Sequence, residues 1–218
     1  YRLVKEHPNE LISELQKIQD LYNSADIEGK ERIYYDYRSK YNNDELTSVE
    51  KAAIFIFLNH TCFNGLYRVN ANGAFNVPFG KYMKPMICNA ELILEDSRLL
   101  NSVDLVIMNG DYRGVGRRLA RRNTNFVYFD PPYRPISVTS SFHTYSNIPF
   151  GDEQQVELRD FCNQLDRRDC FLMLSNSDSR NDDGTSYFEE LYVGYNFQRI
   201  YAHRFINATS DKRVKLTE

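Results

Sequence analysis

The sequence contains no tryptophan, and its four cysteines (Cys62, Cys88, Cys162 and Cys170) include no CxxC pair. That spacing argues against zinc and against a disulfide framework, and free thiols in a cytoplasmic protein are the expectation. The four histidines (His7, His60, His143 and His203) are scattered, so each reads as a surface or capping residue and no metal is expected. No apolar run approaches the roughly 18 residues that a membrane span requires. The longest, AAIFIFL at 52–58, reads as a buried core helix. A strong charge of one sign is missing too. The formal net charge of -3 argues weakly against a nucleic-acid partner. No secretory signal opens the chain. Its first residue is Tyr1 rather than methionine, so the expectation is that the true amino terminus, and any targeting segment, lie upstream.

What is present is an ordinary globular composition. The 218 residues suit one domain, or one domain with a substantial insertion. Charge is unevenly distributed: Arg113, Arg117, Arg118, Arg121 and Arg122 fall close together, and Arg204, Lys212, Arg213 and Lys215 follow near the end. Solvated surface charge is the plain reading of any one of them.

Helical periodicity dominates the first part. Pro8 sits at the start of a stripe formed by Leu11, Leu15, Ile18 and Leu21. A patchier stripe of Ile33, Tyr34 and Tyr37 follows. TSVE at 47–50 has the form of a capping box and opens an apolar helix to about Asn59. The segment 66–82 then alternates polar and apolar residues around Asn72-Gly73, which predicts a β-hairpin. Asn89 is placed to cap a further helix. Beyond it, strands at 103–108, 125–129, 170–175 and 197–202 are separated by helices at 113–122, 152–165 and 186–192, and 175–186 reads as a polar surface loop. Strands alternating with helices predict an α/β fold with a mostly parallel sheet.

The stretch NFVYFDPPYRPIS, 125–137, carries the chemistry. In an open parallel sheet, ligands sit at the carboxyl ends of strands, where Asp130 falls. Pro131 and Pro132 end the strand, fix two φ angles and remove two N–H donors, so nearby carbonyls are rigid and free to accept. A carboxylate, a backbone carbonyl and the Tyr133 ring together suit a planar group bearing an NH2. Two acceptors pulling on such an amine favour a pyramidal nitrogen, whose lone pair attacks an electrophile. The plain alternative is a proline turn with an incidental aspartate.

These residues resemble a known family, the Dam-type (D12 class) DNA adenine-N6 methyltransferases, particularly the GATC-methylating branch of restriction–modification systems. The resemblance rests on FLNHTCFNGLYRVNANGAFNVPFGKY (57–82), NGDY (109–112), DPPYRPIS (130–137), LSNSD (174–178) and INATSDKR (206–213). It implies a Rossmann-like α/β methyltransferase domain, 1–45 and 101–218, with an inserted helical and β-hairpin target-recognition domain at 46–100 and its hairpin at 66–78. It implies that Asp130, Pro131, Pro132 and Tyr133 hold a flipped adenine, since the amino group is otherwise buried in the stack. The implied donor is S-adenosylmethionine, bound near Asp111, Tyr112 and Asp130, with no metal. Double-stranded DNA is the implied partner, together with a cognate restriction endonuclease where the system has one.

The resemblance also assigns a sequence reader to the hairpin. Arg68 matches an arginine that contacts guanine, the commonest specific major-groove contact. Leu66 and Pro78 match apolar contacts to a thymine methyl, and Phe63 matches a wedging aromatic. Asn70 and Lys81 match backbone contacts, and Asn64 and Ser137 complete the DNA-binding set. Hairpin core remains the alternative for Phe63 and Leu66, and a surface ion pair for Arg68.

Two departures shape the expectation. The family's opening lysine- and glycine-containing segment, glycine-rich turn and ribose-binding acid are absent, as is its closing asparagine–tyrosine strand. A piece of a longer enzyme is therefore expected, inactive alone and weak in donor binding. The rival readings are an amino-group methyltransferase acting on RNA or protein glutamine, and a non-catalytic DNA-binding module.

Overall fold

The computed structural model describes residues 1–119, 125–136 and 150–200. Ser137, the INATSDKR segment and the arginines at 121, 122 and 204 lie outside the described residues. The chain divides into two compact units, Tyr1–Asn109 and Gly110–Glu218.

The first unit is built from α1 (Arg2–Glu6), α2 (Pro8–Ser24), α3 (Ile27–Asn43), α4 (Ser48–Thr61) and α5 (Ala90–Ser102). Pro8 stands in the first turn of α2, where its missing N–H costs nothing. Thr47 and Glu50 form the capping box of α4, and the Asn89 side chain accepts from Leu92 N to cap α5. The α2 stripe buries Leu11, Leu15, Ile18 and Tyr22. Leu21, expected on that stripe, is exposed. The helical sequence i, i+4, i+7, i+11 continues to Tyr22, and Leu21 falls one residue off the face. Phe57 of α4 lies at the centre, in ring contact with Tyr22, Tyr34 and Tyr37. Phe75, Val77, Phe79 and Ile87 complete this core.

In the second unit, β1 (Asn125–Phe129) and β2 (Cys170–Leu174) pair in parallel, Phe129 level with Leu174. The connection between them includes α6 (Asp152–Asp166), and α7 (Tyr187–Leu191) follows β2. Strand alternation sends Val127, Phe129, Cys170 and Leu172 toward Phe161 and Leu165 of α6. Phe126, Tyr128, Phe171 and Met173 occupy the opposite, exposed face.

Three expected elements differ. Residues 103–108 form no strand, and Val103, Val106 and Met108 are exposed. A strand requires a pairing partner, and among the described residues none pairs with this segment. Residues 197–200 are likewise unpaired. The helix expected from 113 is a 3-10 turn, Tyr112–Arg117. Gly114 and Gly116 give it little intrinsic tendency to continue as α-helix.

Candidate active site

Asp130 follows β1 directly, one step past the paired register, so it stands level with Ser175 beyond β2. The ladder reaches that far, since Ser175 N donates to Phe129 O at 3.0 Å. The Ser175 hydroxyl donates to Asp130 Oδ1 at 3.0 Å, and the Tyr128 hydroxyl lies 2.9 Å from Ser175 Oγ. Asp130 and Tyr133 are both exposed.

The two prolines differ in what their carbonyls do. Gln155 Nε2 of α6 donates to Pro132 O at 3.2 Å. The Pro131 carbonyl has no partner among the described residues. Among the described residues, one Asp130 carboxylate oxygen and the Pro131 carbonyl therefore remain open acceptors, with Tyr133 following closely in sequence.

The loop that follows is tightly held. Arg134 N donates to Asn176 Oδ1 at 2.9 Å, and Ser177 Oγ donates to Arg134 O. The Arg134 guanidinium forms a two-point pair with Asp152, with Nε to Oδ1 at 2.7 Å and Nη2 to Oδ2 at 3.1 Å. It also lies over the Tyr187 ring, 4.0 Å from the centroid. Ser177 and Ser179 are buried. Residues 175–179, expected as surface loop, are therefore a buttress for the segment after Asp130. Polar composition predicted exposure, but the Asn176 and Ser177 side chains are taken up by the Arg134 backbone.

Asp111 caps the 3-10 turn by accepting from Arg113 N at 2.8 Å, and the Arg113 guanidinium binds both carboxylate oxygens. Those hydrogen bonds hold the Asp111 carboxyl down at about 2. Tyr112 packs on Phe161 in the cluster that contains Phe129, the residue before Asp130. Its buried hydroxyl has no hydrogen-bond partner among the described residues.

The first unit presents the hairpin. A turn closes through Gly73 N to Asn70 O at 2.9 Å, with Gly73 at a φ of +79. The Asn70 carboxamide accepts from Asn72 N and Ala74 N, so this side chain builds the turn. Phe75, Val77 and Phe79 enter the core, while Asn76 and Pro78 alternate outward. Arg68 lies opposite Asn76, donating from Nε to its Oδ1 at 2.8 Å. That contact is a hydrogen bond from a charged guanidinium to a neutral amide, not an ion pair. Phe63 is 48% exposed and is not hairpin core, whereas Leu66 packs partly against the core. Asn64 and Lys81 are exposed, both at positive φ. Gly80 is dictated by close approach, since a Cβ there would stand 2.5 Å from the Cys62 carbonyl oxygen.

Sequence reasoning missed what holds this hairpin. Tyr34 Oη and Arg38 Nη1 of α3 both donate to Val77 O, at 2.8 and 3.0 Å. The Asn42 carboxamide accepts from Phe75 N and donates to Phe75 O. The signal was the spacing 34, 38, 42, a single helical face of hydrogen-bonding side chains. Burial pushes the Tyr34 hydroxyl above its ordinary range, so it remains a donor. Among the described residues no group of three or more His, Cys, Asp or Glu is placed to hold a metal, and no helix is long and apolar enough to cross a membrane.

A family model for D12 class N6 adenine-specific DNA methyltransferases matches residues 1–206. The type II methyltransferase M.MjaIII of Methanocaldococcus jannaschii is 41% identical over 215 residues, covering 98% of this chain and 71% of that protein. The type II methyltransferase M1.LlaDCHI of Lactococcus lactis subsp. cremoris is 40% identical over 221 residues, covering 100% and 72%. A DNA adenine methylase of Escherichia coli is 32% identical over 187 residues, covering 85% and 63%. The chain thus belongs to the D12 class of N6 adenine-specific DNA methyltransferases and acts in site-specific methylation of DNA adenine.

Proposed function

We propose that Asp130 and the Pro131 carbonyl accept the two amino hydrogens of a flipped adenine while Tyr133 stacks on the base, and that the methylated site is GATC. The observation that carries the catalytic part is the unequal fate of the diproline carbonyls. Gln155 occupies that of Pro132, and that of Pro131, next to Asp130 in sequence, has no partner among the described residues. Pulled by both acceptors, the amino nitrogen regains its lone pair and forms the new N–C bond. When bound, S-adenosylmethionine supplies a methyl group on a positively charged sulfur, which takes the electron pair of the broken C–S bond. The proton lost from nitrogen passes to the carboxylate or to water. Extrusion of the base is required because its amino group is otherwise paired within the duplex.

Asp111 and Tyr112 would meet the donor's adenine ring. The exposed Asp111 carboxylate keeps lone-pair positions beyond those used by Arg113. The segment 46–100 acts as target-recognition insertion in this reading. Arg68 reads a guanine, Leu66 and Pro78 touch a thymine methyl, and Phe63 fills the vacated stack. Asn64, Asn70, Lys81 and Ser137 meet the DNA. Two relatives carry type II names, which supports a cognate restriction endonuclease as partner in a cytoplasmic restriction–modification system.

The test is to express the enzyme in cells without adenine methylation and map N6-methyladenine across the genome. Methylation confined to GATC is expected, and none with Asp130→Ala. A different motif overturns the site assignment, and undiminished methylation by the Ala variant overturns the role of Asp130.

A further inference from the structure

The LSNSD motif has no part in the function described so far, yet its first serine touches the proposed catalytic carboxylate. Asp130 and Tyr128 alternate onto the same face of β1, as Ser175 and Met173 do on β2. The register sets Ser175 beside Asp130, and the Ser175 N–H fixes it there through Phe129 O. A serine hydroxyl has one hydrogen. Because Ser175 gives it to Asp130 Oδ1, its oxygen is left to accept from the Tyr128 hydroxyl. Three side chains thus form a directed chain, Tyr128 to Ser175 to Asp130. Its end occupies Oδ1 and leaves Oδ2 with no partner among the described residues.

We propose that Ser175, backed by Tyr128, is a positioning residue that fixes the rotation of the Asp130 carboxylate so that Oδ2 faces the adenine amino group. An aspartate at the end of a strand otherwise turns freely about its last torsion, which is broad and roughly two-fold. Two acceptors polarise one amine only when both lie in its hydrogen directions, so a rotated carboxylate forfeits the pull. Pro131 contributes a carbonyl fixed by its backbone. Asp130 needs a side-chain partner to reach the same fixity, and Ser175 supplies it.

This inference rests on the proposed role of Asp130, and the experiment separates the two. Single-turnover methyl transfer is measured for Ser175→Ala, Ser175→Thr, Tyr128→Phe and Asp130→Ala, with equilibrium binding of duplex DNA and of S-adenosylmethionine. Ser175→Ala keeps the backbone hydrogen bond and loses only the hydroxyl. Its transfer rate is expected to fall roughly 10- to 100-fold, the range of a hydrogen bond to a charged group, with both affinities unchanged. Ser175→Thr restores most of the rate, and Tyr128→Phe gives a smaller loss. A parental rate in Ser175→Ala, an equal loss in the Thr variant, or a loss matched by weakened DNA and donor binding overturns the proposal. If Asp130→Ala itself transfers at the parental rate, the functional reading fails first.

Discussion

The inner edge of the hairpin is held from outside, by three side chains of α3 that reach residues 75 and 77. The loop after Asp130 is held largely from within, by Asn176 and Ser177, the residues just past the neighbouring strand. In both places backbone without a regular ladder has its polar groups satisfied by side chains, as buried backbone requires. The difference lies in where the support originates. The hairpin depends on a helix more than thirty residues earlier in sequence, so distant substitutions should disturb sequence reading. The Asp130 loop depends on its own sheet neighbour and α6, so changes there should disturb chemistry and leave reading intact.

The largest expected effect tests the base that the hairpin stands on. Phe57 is fully buried and in contact with three aromatic rings. Phe57→Ala should cost about 3–5 kcal/mol of stability in denaturant unfolding. A loss below about 1 kcal/mol would mean that the aromatic cluster is not the support.

Asn42→Ala comes next, because it orphans both the N–H and the carbonyl of Phe75. A loss of roughly 1–3 kcal/mol per unsatisfied group is the upper range, reduced where water reaches the edge. Discrimination between cognate and near-cognate duplexes should weaken as well, while single-turnover transfer on bound cognate DNA stays close to parental. If transfer falls and discrimination holds, the comparison breaks.

The smallest effect concerns Asp111. Its carboxyl is lowered to about 2 by Arg113, so the interaction is intact above the ordinary carboxylate range and is lost only as pH falls through the lowered value. Its carboxyl carbon shift in NMR should stay flat from about pH 4 upward. In Arg113→Ala, the titration should move back toward the ordinary value of 3.8. Titration of the parental Asp111 at that ordinary value would contradict the assignment.

Local signals made much of the fold legible. Pro8, the Thr47–Glu50 box, Asn89 and the Asn72-Gly73 turn each act through neighbouring backbone, and each appears where the sequence placed it. Strands 125–129 and 170–174 were legible because apolar runs there are short and bounded by turn formers. Residues 103–108 have the same texture, but pairing is a property of two segments and no single run encodes it. At the candidate site, the sequence placed Asp130 and the two prolines at the end of a strand, where the structure has them. The fate of the Pro132 carbonyl was not legible because it depends on Gln155 of α6, and the Ser175 contact was not because it arises from register between β1 and β2. The clamp at Tyr34, Arg38 and Asn42 stayed hidden for a related reason, since helical spacing names a face without naming what it touches.

The division between reading and chemistry is tested most directly by one assay applied to Arg68→Ala and Asp130→Ala together. It measures affinity and single-turnover rate on a GATC duplex and on one with a single guanine replaced. Arg68→Ala should lose about 1–3 kcal/mol of discrimination at one guanine while still methylating the cognate adenine. Asp130→Ala should lose transfer by at least about 100-fold on both duplexes, with discrimination in binding preserved. If both variants lose rate and discrimination in the same proportion, the hairpin and the strand end do not have separate roles, and the account is contradicted.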